Sequence, residues 1–139
     1  MTLLVTVAAI CHAIYAAANL NRWRIREIDE RQRVWLIDID GTICDDVPNE
    51  EAERFETAEP LHGALDMVRA LHANGDRVCF FTARAQEHAE VTEEWLERHG
   101  FEFEAVIYNK PRIEQGQVYC WVDNKPVEAR FTPSGIAEL

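Results

Sequence analysis

The sequence predicts one α/β domain built on a parallel sheet with helices on both faces, and three observations carry that expectation. From Arg31 onward, short apolar runs alternate with three-four periodic patterns, as strands joined by crossover helices do. Each of the four apolar runs ends in polar or charged residues, so the side chains able to do chemistry gather along one edge of the sheet. The length, 139 residues, suffices for one hydrophobic core and falls short of two ordinary domains.

In chain order, residues 1–30 form an N-terminal apolar helix and basic linker ahead of a domain spanning 31–139. Met1 to Leu20 carries no charged side chain and is followed by Arg22, Arg24 and Arg26. Three readings stay open for it. The spacing Leu3, Val7, Ile10, Ile14, Ala17 suits a helix packing on the domain or on a second copy in a homo-oligomer. The length and the basic flank suit a membrane anchor with the domain held on the cytoplasmic side. Ala16 and Ala18 suit a signal-peptide cleavage site, although no basic residue precedes the apolar run.

The strands expected are Val34–Ile39, Val78–Thr82, Ala105–Tyr108 and Val118–Val122, each near-continuously apolar, as strands covered on both faces are. Leu61, Ala64, Leu65, Val68 and Leu71 recur at helical spacing, with Gly75 as the stop. Val91, Trp95 and Leu96 mark a second helix that ends before Gly100. Gly41 to Glu59 has no lasting period, contains Pro48 and is dense in acids. This stretch is a flap, too short for a separate cap domain. The last residues, FTPSGIAEL, carry a turn signal and are expected to fray.

Charge narrows the partners. Fourteen basic residues against 25 acidic ones leave a formal net charge of −11, a field that repels polyanions and argues against long nucleic acid. A small anionic substrate then needs local neutralisation. The four cysteines are scattered, without a CxxC pair, so a reducing, cytoplasmic setting is expected.

Ligands of open α/β sheets bind beyond the carboxyl ends of the strands, and there the residues form one set. The first run ends in Asp38-Ile39-Asp40-Gly41-Thr42; a period of two turns both carboxylates to one side and Ile39 to the other. Two like charges in one pocket cannot both ionise cheaply, so one pKa should rise unless a cation intervenes. The pair supplies a carboxylate nucleophile and a proton carrier for the leaving oxygen. Gly41 permits the backbone to turn away sharply, and Thr42 adds a hydroxyl. After the second run come Thr82, Ala83 and Arg84, whose hydroxyl and backbone N–H groups suit a phosphoryl group; the guanidinium suits bidentate contact with phosphate or carboxylate. Lys110, after the third run, is a point charge able to neutralise nucleophile and phosphoryl group. Asp123-Asn124 ends the fourth, and Asp38 with Asp123 makes a natural pair for Mg²⁺, which takes hard oxygen ligands and water.

DIDGT, FTAR, the lysine of NKP and Asp123 after an apolar run resemble the four ordered motifs of the haloacid dehalogenase (HAD) superfamily across Val34 to Asn124. The resemblance implies a Rossmann-like strand order and a small capless phosphatase acting on a small phosphorylated metabolite such as a sugar phosphate or nucleotide. It implies that Asp38 forms the phospho-aspartate, that Asp40 protonates the leaving group and then activates water, and that Thr82 and Lys110 hold the phosphoryl group. Mg²⁺ would sit among Asp38, the Asp40 backbone carbonyl and Asp123. Many relatives carry a second acid where this chain has Asn124, which lowers the charge of the donor set. Two other readings are a polynucleotide 3'-phosphatase and a non-catalytic phosphate-binding or assembly module.

Overall fold

The computed structural model describes residues 32–139; the expected N-terminal helix and linker lie outside the described residues. Three of the four expected strands form, namely β1 (Val34–Ile37), β2 (Arg77–Phe81) and β3 (Ala105–Ile107). They pair in parallel in the order β1-β2-β3. The register sets Ile37 beside Phe80 and Phe80 beside Val106, so these side chains share one face. That face, extended by Ile39 and Val78, packs into the core.

Two helices close over the same cluster. Helix α1 (Ala64–Ala73) buries Ala64, Val68 and Leu71, and α2 (Ala89–Arg98) buries Thr92, Trp95 and Leu96, the single stripe of an amphipathic helix. Both stop as expected. Gly75 and Gly100 adopt positive φ of 86° and 79°; the Asp76 and Phe101 amides reach back to Leu71 and Leu96 carbonyls, which satisfies helix-end groups otherwise left without partners.

Three expectations need correction. Helices do not cover both faces among the described residues: Val34 and Ile107, on the opposite face, are 52 % and 43 % exposed. Alternation of burial along β1 and β3, hidden by apolar residues on both sides, was invisible to a reading that counts only apolar runs. The fourth run, Val118–Val122, forms no strand, and Val122 is 96 % exposed. A parallel partner needs a crossover of about a dozen residues or more, usually a helix. Residues 108–117 fall short of that and hold Pro111 and a Gly116 turn instead. The C-terminal residues do not fray. Ile136 is buried in the core and its N–H donates to the Thr42 carbonyl at 2.8 Å, after Gly135 turns at φ 113° against the Leu61 side chain.

The flap is fastened as well. Its 3-10 segment Asn49–Thr57 seats Phe55 in the core, and the buried Trp95 indole donates to the Ala58 carbonyl at 2.9 Å. Asn49 Nδ2 donates to the Ala83 carbonyl at 2.8 Å, which ties the flap to the loop after β2.

At the other end of the sheet, buried Asp76 accepts from the Arg33 amide and the Trp35 indole, both at 2.9 Å. Burial works against its charge, yet these hydrogen bonds hold the carboxyl below its ordinary value of 3.8. The folded chain thus binds that proton less tightly than the unfolded chain; the stabilisation is present above the unfolded pKa and lost as pH falls through the folded one. Asp76→Asn is expected to lower stability at neutral pH by about 1–3 kcal/mol. Urea unfolding of both proteins should show the gap narrowing below about pH 4, and an unchanged gap in acid would refute this account.

Candidate active site

The site begins where β1 ends. Ile39 points into the core, fully buried, while Asp38 and Asp40 line one cavity of about 370 Å³ together with Ala83 and Lys110. Gly41, at φ 74°, lets the chain fold back so that the Thr42 and Ile43 amides both donate to the Ile39 carbonyl. This turn aims the two carboxylates; Gly41 and Thr42 themselves do not line the cavity.

Asp38 meets Lys110 directly, with Nζ 3.1 Å from Oδ1. The carboxylate side chain is 37 % exposed and the lysine 10 %, so the acid opens to the cavity and the lysine stands behind it. Lys110 is held from several sides. Its amide donates to the Thr82 carbonyl and the Asn109 amide to the Arg84 carbonyl, both at 2.9 Å, while Asn109 takes the left-handed conformation at φ 58°. The rings of Phe81 and Tyr119 flank the ammonium at 5.6 and 5.2 Å. Burial raises the Asp38 pKa; Lys110 opposes this by charge and hydrogen bond, the Ile39 amide opposes it too, and the Asp40 charge adds the smallest push upward. The rise expected from two neighbouring acids is therefore present at Asp38, but burial is its main cause.

Asp40 is gripped differently. Arg84 Nε donates to Oδ2 at 2.9 Å and Nη2 to Oδ1 at 2.8 Å. The guanidinium is completely buried, gives Nη1 to Thr92 Oγ1 at 3.2 Å, and lies 3.9 Å from the Phe55 ring centre. Of the two partners that suited this arginine, the carboxylate is the one it meets, and burial keeps it from the cavity wall. In place of the substrate contact expected of it, Arg84 makes a salt bridge to Asp40. Thr82 also lies behind the wall: it is fully buried and its hydroxyl accepts from the Arg84 amide at 3.1 Å. Ala83 alone of the three faces the cavity. Cys44 sits against this pair, its thiol pushed up to about 12 by burial first and the Asp40 charge next, and it stays protonated at neutral pH.

Asp123 stands apart. It does not line the cavity, and its oxygens accept from the Trp121 indole at 3.2 Å and the Lys125 amide at 3.0 Å. With no strand at Val118–Val122, no strand end carries it to the other acids. Among the described residues no three His, Cys, Asp or Glu side chains are grouped so as to hold a metal ion. The donor chemistry at the cavity, Asp38 and Asp40, still fits a hard cation that takes one or two carboxylates and completes its shell with water. The three-acid set with Asp123 does not assemble.

The sequence reading missed four cavity residues: Asp46, Arg112, Ile113 and Tyr119. Asp46 passes for one more solvated acid of the flap, and no local signal separates it from Asp45. Arg112, next but one to Lys110, pairs with Glu50 of the flap at 2.7 Å. Its place after NKP was the available clue. Tyr119 falls within the apolar run expected as a strand, and only the path of the chain around Gly116 brings it to the cavity.

A family model described as HAD superfamily, subfamily IIIB (acid phosphatase) matches residues 5–120. The span takes in Asp38, Asp40, Thr82, Arg84 and Lys110 and ends before Asp123. No curated protein matches the chain. A crystal structure of a target protein from Vibrio cholerae is similar, with a TM-score of 0.52 at 17% identity over 69% of this chain and 83% of that one; at that identity the likeness concerns the fold. With the family model covering most of its length, the chain belongs to the subfamily IIIB acid phosphatases of the HAD superfamily and is a phosphomonoester hydrolase.

Proposed function

We propose that this phosphatase hydrolyses a small phosphomonoester, a sugar phosphate or a nucleotide, through an aspartyl-phosphate on Asp38. The observation that carries the reading is the juxtaposition in one cavity of Asp38, paired with Lys110 at 3.1 Å, and Asp40. An Asp38 oxygen attacks phosphorus, the bond to the ester oxygen breaks, and that oxygen keeps the electron pair and takes a proton from Asp40. Asp40 then takes a proton from water, whose oxygen attacks phosphorus and releases phosphate from Asp38. A carboxylate offers about four lone-pair sites, so the two taken by Arg84 leave others for this proton. Lys110 neutralises charge as the phosphoryl group arrives, since it already faces the attacking oxygen. Asp38 and the Asp40 backbone carbonyl would hold Mg²⁺, which supplies further neutralisation of the phosphoryl oxygens.

The cavity volume and the formal charge of −11 support a small substrate over a nucleic-acid end. Binding to single-stranded DNA should accordingly be weak and show little dependence on salt; a steep slope would favour the nucleic-acid reading.

Asp38→Asn should reduce Mg²⁺-dependent phosphate release from p-nitrophenyl phosphate to background. Full activity in that variant would remove Asp38 from its role. Lys110→Ala is expected to lower kcat by about 10²–10³-fold, the usual loss for one preorganised group at developing charge. A loss confined to KM would instead mean that the lysine only binds substrate.

A further inference from the structure

We propose that Arg84 is a positioning residue for Asp40: it fixes the direction in which that carboxylate presents its proton and never touches the substrate. This rests on the acid-base role given to Asp40 above. The two oxygens of Asp40 are taken by Nε and Nη2 of one guanidinium at 2.9 and 2.8 Å, a fork that sets the plane of the carboxylate as well as its position. The guanidinium is in turn fixed by three elements. Thr92 of α2 accepts from Nη1, Phe55 of the flap covers its face, and the Arg84 amide and carbonyl are bound to Thr82 and Asn109. Every nitrogen beyond Cδ thus has a protein partner, and Arg84 itself does not line the cavity. A residue sealed in this way has no path to a bound phosphomonoester, yet its fork ends on the group that must meet the leaving oxygen.

The consequence is specific to one step. When the P–O bond breaks, an aliphatic leaving oxygen needs the proton from Asp40, whereas p-nitrophenolate departs without one. Lysine keeps the positive charge of arginine but offers a point charge in place of the planar fork, so Arg84→Lys should leave Asp40 paired and misdirected. In the first turnover, Arg84→Lys is expected to slow release of an aliphatic alcohol from its phosphate by about 10²-fold, within the range for lost proton transfer. The p-nitrophenol burst should slow by less than about fivefold, with apparent affinity for either substrate little changed. Equal slowing of both bursts would make Arg84 merely structural, and a rise in KM without loss of the first-turnover rate would make it a substrate contact; either overturns the proposal.

Thr92→Val removes one tether of the guanidinium at nearly constant volume and covers the case in which Arg84→Lys fails to fold. It should reproduce the same leaving-group selectivity at about three- to tenfold, and absence of that selectivity in a folded Thr92→Val protein also overturns the proposal. Asp38→Asn run in parallel separates the failure of this inference from failure of the reading beneath it, because activity in that variant would discard the aspartyl-phosphate whatever Arg84 does.

Discussion

The structure around the cavity depends on a buried ion pair. Arg84 is wholly sealed and Asp40 nearly so, and removing one partner of such a pair leaves an uncompensated charge that costs about 3–5 kcal/mol. The fold meets that requirement with every element near the site. Helix α2 supplies Thr92, the flap supplies Phe55, and the turn after β1 holds Asp40 within reach. The flap is consequently part of the core, although its sequence reads as a solvated acidic loop. Phe55 explains the difference: a single large apolar side chain among acids lies fully buried on the guanidinium and the ring of His88, and the surrounding glutamates need only follow it to the surface.

Two acids one residue apart acquire different characters because their cations differ. Asp38 faces a lysine, a point charge on a flexible stem, and retains exposure toward the cavity. Asp40 faces a planar fork with no freedom to turn. A nucleophile must be open to phosphorus and must give up its first partner as the phosphoryl group arrives; a lysine can follow the charge. A proton carrier must return to one orientation in both halves of the reaction, which a rigid guanidinium secures. The partner of each acid thus suits the role proposed for it above.

Much of this was legible in the chain. The period of two in Asp38-Ile39-Asp40, the helical stripes of α1 and α2 and their glycine stops all arise from local rules, and local rules are readable without the fold. What was not legible depended on tertiary choice. The fate of Val118–Val122 turns on whether a neighbour and a suitable connection exist, and hydropathy is silent on both; with the strand went the delivery of Asp123. Arg84 suited phosphate and carboxylate equally on chemistry alone, and only its burial decides between them. The turn signal Pro133-Ser134-Gly135 ahead of Ile136 suggests a frayed end, whereas that turn is what brings Ile136 back to Thr42.

The two ion pairs assemble on three strands for a topological reason. Both acids come from one strand end, and both of their cations come from the two loops that follow β2 and β3. Those loops are sewn to each other: the Asn109 and Lys110 amides bind the Arg84 and Thr82 carbonyls, and the Asn109 side-chain oxygen accepts from the Gln86 amide. Holding Asn109 at positive φ costs backbone energy that a non-glycine residue seldom bears, and asparagine bears it better than most. The return is that Lys110 and Arg84 move as one unit relative to β1. A displacement of either loop would shift both cations together, so the spacing between the nucleophile's partner and the proton carrier's partner is set by backbone hydrogen bonds. Side chains then need only reach a short distance to complete the two ion pairs, and of the segment beyond Lys110 the Tyr119 ring flanks the lysine.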